Sequence, residues 1–94
     1  MNRDTEKELR LHSTYLEDAI KEATEAIVKA RLLLNEIKED IREERDRYLI
    51  GDIQRINTAF KLIDKAATEG MIAINILMAV ATKENEDEHS STDR

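Results

Sequence analysis

Glu36, Glu39, Asp40, Glu43, Glu44 and Asp46 place six carboxylates in eleven residues, a grouping dense enough to suggest chemistry. Carboxylates three or four residues apart on a helix share a face, where they can hold a magnesium ion or divide the roles of acid and base. Glu36 with Glu39, or with Asp40, meets that spacing. Lys38, Arg42, Arg45 and Arg47 alternate with the acids at ion-pair spacing, so the expectation is a solvated, salt-bridged face without a metal.

Helical magnesium-dependent nucleotide pyrophosphohydrolases resemble this chain in being helical, and they set a second Glu-x-x-Asp pair on a neighbouring helix. Here the following segment offers Asp64 and Glu69, at a different spacing. His12 and His89 stand alone, no Gly-rich phosphate loop is present, and cysteine is absent. The sequence therefore predicts no enzyme, no catalytic residue and no cofactor. Arg42, Arg45, Arg47 and Arg55, with Tyr48 among them, are the candidate anion-binding residues, because guanidinium forks match phosphate and carboxylate geometry. Glu43, Glu44, Asp46 and Asp52 are close enough in sequence to neutralise them.

The elements that must position these residues are helical. Of 94 residues, 40% are hydrophobic and 38% charged, with two glycines and no proline, the composition of long helices. A net charge of −6 opposes general binding to nucleic acid or to anionic membranes. The opening MNRDTEKELR is too polar for a signal peptide, so a cytoplasmic location is expected. The run GMIAINILMAVA at 70–81 is shorter than the roughly 20 apolar residues that cross a bilayer, which predicts a cover of protein and no membrane.

Local signals divide the chain. Thr14 and Glu17 form a capping box, Thr5 and Glu8 a weaker one, and Gly51-Asp52 supplies a left-handed C′ residue followed by an N-cap. They predict a short N-terminal helix and connection over 1–13, an antiparallel helical hairpin over 14–83 with its turn at 50–52, and a disordered acidic tail over 84–94. The predicted class is all-α, with the hairpin associating into a helical bundle.

Apolar residues recur at alternating steps of three and four in both arms. Ile20, Ala23, Ile27, Ala30, Leu34, Ile37 and Ile41 are expected to face Ile53, Ile56, Phe60, Ile63, Ala67, Gly70, Ile74 and Leu77 across the hairpin. Beside this seam lies a flank of smaller residues. Ala19, Ala26, Leu33, Ala59, Leu62, Ala66, Ala73, Ile76 and Val80 are the predicted oligomer interface. Asn75, the one polar residue in the apolar run, either fixes the register of associating helices or faces solvent with Thr68 and Thr82.

A short helix followed by two antiparallel ones looks like the phage-encoded sponge proteins, which sequester cyclic nucleotides between the subunits of a ring. The hairpin plan is also similar to the small secreted proteins with Trp-x-Gly at the turn, where this chain reads Tyr48-Leu49-Ile50-Gly51. The leading expectation is a non-enzymatic oligomer, an adaptor, regulator or phage-type inhibitor, whose partners are further copies of itself and another protein. The alternative is an oligomer that sequesters an anionic small molecule, such as a cyclic nucleotide, between subunits.

Overall fold

A computed structural model describes the backbone of residues 1–92 and the side chains of residues 1–86. It shows an all-α hairpin of two long helices, α1 Arg3–Arg42 and α2 Asp46–Thr92, packed antiparallel, with no strand among the described residues. The molecule measures 75 × 19 × 14 Å, two helices wide and one thick. Its radius of gyration of 21.1 Å far exceeds the roughly 12 Å of a compact chain this long.

The separate N-terminal helix expected over 1–13 is absent, because α1 starts at once and does not pause. Asn2 is the N-cap, its side chain accepting from the Thr5 amide at 2.7 Å, with Asp4 and Glu6 in the favourable first turn. Thr14 does not cap; its hydroxyl donates back to the Arg10 carbonyl at 3.1 Å, as a threonine inside a helix can. His12 and Ser13, expected as a connection, are helical.

The turn falls at 43–45, not at 50–52. Glu44 adopts φ 56°, while Gly51 lies inside α2 without positive φ. The Arg45 amide donates to the Asp40 carbonyl at 2.8 Å and the Glu44 amide to the Ile41 carbonyl at 3.3 Å. These are the two hydrogen bonds of a Schellman motif, closed around a glutamate in the place glycine usually takes. Arg45 then opens α2, its carbonyl accepting from the Tyr48 amide at 3.1 Å. Residues 84–92, expected to be part of a disordered tail, continue α2; residues 93 and 94 lie outside those described, as does the side chain of His89.

The seam also differs. The deepest row is Ala19, Ala26, Leu33 and Asp40 on α1 and Asp52, Ala59, Ala66 and Ala73 on α2, each set at steps of seven. Beside it a half-buried row holds Leu9, Leu16, Ala23 and Ile37, with Ala30 buried, and faces Leu49, Ile56, Ile63 and Leu77, with Gly70 buried. A Cβ on Gly70 would lie 3.7 Å from that of Ala19, so the helices meet nearly backbone to backbone there. Small residues permit that approach. The bulkier row one position further round, Ile20, Ile27, Leu34, Ile41, Ile53, Phe60 and Ile74, was expected inside and is left outside, 38–62% exposed. At the open end the amino terminus pairs with Glu84 at 3.2 Å.

Two glycine exchanges test this turn. Glu44→Gly removes the left-handed penalty and Gly51→Ala removes a helix-weakening residue whose new Cβ meets only Arg55 Nη1, at 3.9 Å. Each is expected to raise stability by about 1 kcal/mol in urea denaturation. A loss on both would move the turn back to Gly51.

Candidate functional site

The carboxylates and arginines of 36–55 come together at the turn, where they pair largely with one another. Asp40 and Asp52 occupy the last positions of the deepest row, 6% and 5% exposed, and their carboxyl groups meet across the seam. Arg45 Nε donates to Asp40 Oδ1 at 3.1 Å and Arg55 Nη1 to Asp52 Oδ1 at 2.7 Å. Arg42 pairs with Glu39 and, at 3.7 Å, with Glu43, and the Arg47 guanidinium lies 4.9 Å from the centre of the Tyr48 ring. Each of the four candidate arginines thus has a partner within the chain. The groove beside them, about 460 Å³, is lined by Glu36, Glu39, Asp40 and Asp52 against Arg45, with Tyr48. Four carboxylates against one guanidinium repel an anion.

Local sequence signals do not disclose the acid pair, since Asp52 after Gly51 reads as an N-cap. The hydrogen bond between the two carboxyl groups holds Asp40 below its ordinary pKa, with Arg45 adding to the effect against the opposing cost of burial. The same bond pushes Asp52 up, reinforced by burial and by the charges of Asp40 and Glu36, with Arg55 opposing. With both groups ionised, Asp40 Oδ2 is buried without a donor. Below the raised pKa of Asp52 a proton on its carboxyl group supplies one, and the pair then shares a single proton in the manner of coupled carboxylates. Among the described residues no group of three or more acids or histidines is placed to hold a metal ion.

The predicted oligomer interface is placed differently from expectation. Ala19, Ala26, Leu33, Ala59, Ala66 and Ala73 are buried between α1 and α2 of the one chain, where no second chain can reach them. Ile76 and Val80 are half-buried, and Leu62 is 48% exposed. The structure exchanges the two apolar stripes: the small one closes the hairpin and the bulky one faces out.

The two flanks of the hairpin now have distinct characters. On one lie grooves of about 410 and 370 Å³, the first lined by His12, Tyr15, Asp18, Glu22 and Glu69 over Ala73, the second by Glu22, Glu25, Lys29 and Lys65 over Ala26 and Leu62. His12 stacks edge-on against Tyr15, centroids 5.6 Å apart. On the other flank the outer row of isoleucines, Leu34 and Phe60 runs along both helices without a charge in it. Asn75 is exposed, on the outer side of α2 with Thr68 and Thr82. By length and composition a window of α2 within Asp46–Glu86, mean hydropathy 1.2, is apolar enough to cross a membrane, and 17% of it is buried. That apolar stretch is longer than 70–81 because α2 is unbroken.

No family model matches the chain, and neither a curated protein nor a solved structure is significantly similar to it.

The acid pair sets a pH dependence whose sign follows from the two shifts. Asp40, held low, stabilises the fold above its unfolded pKa and loses that contribution as pH falls through its folded value. Asp52, held high, contributes fully below its unfolded pKa and loses its contribution as pH rises through its raised value. The pair is therefore most favourable in acid, between the two folded values, and weakens as pH rises through the raised value of Asp52 and leaves two charges facing each other. Asp52→Asn, whose amide can donate to Asp40, is expected to melt above the wild type at about pH 7 and to gain less on acidification to about pH 4. Parallel melting curves for the two proteins across that range would show that no proton is shared.

Proposed function

We propose that the chain is a non-enzymatic interaction protein, an oligomeric helical hairpin that engages further copies of itself and a macromolecular partner through its helix faces. One observation carries this reading: the deepest row of the hairpin is closed by alanines, and most of its large apolar residues are left outside. Six of the seven buried hydrophobic residues are alanine, the seventh being Leu33, while Phe60, Met78, Ile41 and many others are more than half exposed. Burial of a leucine or phenylalanine contributes about 1.5–3 kcal/mol and of a single methyl about 0.8 kcal/mol, so the side chains best able to stabilise a fold lie where only another molecule can use them.

The surface area agrees. A folded monomer of 10.9 kDa exposes about 5600 Å² on the usual mass scaling, and this chain exposes 7647 Å². Short domains with so little core commonly gain their stability by association.

Light scattering across a range of concentrations is expected to give a mass at least twice that of the chain, with a melting temperature that rises with concentration. A monomer at the highest concentration with a concentration-independent melting temperature would overturn the reading.

A further inference from the structure

We infer that the open face formed by Ile27, Leu34 and Ile41 of α1 with Ile53, Phe60 and Ile74 of α2 is the contact between two copies of this chain, giving a four-helix bundle with α1 of each copy over α2 of the other. This inference rests on the oligomeric reading above and adds the face and the arrangement.

The face has the size that a dimer needs. From Ile20 to Ile41 it runs 21 residues, about 32 Å of helix, and the hairpin is 19 Å wide. Its footprint is thus about 600 Å² per copy, at the upper limit for a patch on a monomer, and two copies together reach the roughly 1200 Å² at which stable interfaces begin. The half-buried row of Ile37, Ile56 and Ile63 lies next to it and opens toward the same side, so a second hairpin completes rows that the first leaves half covered.

Charge sets the orientation. Arg31 edges this face on α1, and Asp64 edges it on α2, about three residues or ~5 Å further from the turn in the register that sets Asp40 opposite Asp52. Laying α1 over α2 with both turns at one end brings these opposite signs together, whereas α1 over α1 opposes like charges. The contact is isologous and closes at two copies. A bilayer is the poorer occupant. Arg55, Lys61 and Glu69 interrupt the remaining faces of α2, and a net charge of −6 disfavours an anionic lipid surface.

Hydroxyl-radical footprinting of the unaltered protein reads the face directly. Phe60 lies in it, at 58% exposure, while Tyr15 and Tyr48, at 52% and 49%, lie on the opposite flank. Dilution through the dissociation range is expected to raise oxidation of Phe60 several-fold while both tyrosines stay constant. Leu34→Glu is expected to weaken association by roughly 100-fold or more, since it places a carboxylate in the contact, whereas Leu62→Glu on the other flank leaves the mass unchanged. An oligomer in which Tyr15, Tyr48 or Leu62→Glu responds and Phe60 does not would overturn the face while leaving the oligomeric reading intact. A monomer whose Phe60 is protected only by phosphatidylcholine vesicles would overturn both.

Discussion

Close approach of α1 and α2 is the constraint from which the other features follow. Alanine at 19, 26, 59, 66 and 73, together with Gly70, removes the side-chain layer that normally holds two helices 8–10 Å apart. Leu33 is the one large side chain in that row, and a further leucine or isoleucine there would have to be accommodated by separating the helices. Once the small row is chosen for the contact, the helical repeat decides where the rest point. Residues one position further round, Ile20, Ile27, Ile53 and Phe60, turn away to one flank, and Glu22, Lys29, Arg55 and Glu69 to the other. The open apolar face is thus a geometric consequence of an alanine seam in a chain that is also rich in isoleucine.

The seam ends in chemistry instead of packing. Asp40 and Asp52 continue the same steps of seven that carry Ala26 with Leu33 and Ala59 with Ala66, so the close approach that suits alanine forces two carboxyl groups together. Arg45 ties this pair to the turn twice, by its amide to the Asp40 carbonyl and by Nε to the Asp40 carboxylate. Turn, register and acid pair therefore form one unit. Moving the turn to Gly51 would slide α2 along α1 and leave Asp40 opposite a different part of the helix. The observed register holds Glu44 left-handed, at a cost on the order of 1–2 kcal/mol.

The sequence made the class legible, and the hairpin with it, because apolar residues at steps of three and four run through both arms without a proline. It did not reveal which stripe closes the hairpin. Three adjacent rows are apolar on each helix, and the stripe with Ile20, Ile27 and Leu34 has the same spacing as the one with Ala19, Ala26 and Leu33. Periodicity cannot choose between them; side-chain size does, and here closeness of approach prevails over bulk. The turn was missed because Gly51 and Asp52 carry strong local signals that tertiary register overrode, while Glu44 carries none. Asp52 had a visible clue, its phase with Ala59 and Ala66, which marks it as a seam residue and not a cap. Thr14 and Thr5 likewise offered caps where the helix had no reason to break.

Electrostatics then separates the two classes of function. A crevice that sequesters an anion must concentrate positive charge, and the grooves of this hairpin do not. The turn groove sets four carboxylates against Arg45, the groove by His12 holds Asp18, Glu22 and Glu69, and the one between them balances Lys29 and Lys65 with Glu22 and Glu25. The arginines that might have supplied the charge are already engaged with Asp40, Asp52, Glu39 and the Tyr48 ring. Breaking Arg45 from Asp40 to free it for a ligand would leave a buried carboxylate without its cation beside a second acid, a cost that a weakly held anion does not offset. The apolar flank carries no such penalty. Ile27, Leu34 and Phe60 have no internal partner to give up, so association there would gain burial without first breaking anything, which supports the proposed assembly through helix faces over capture of an anion.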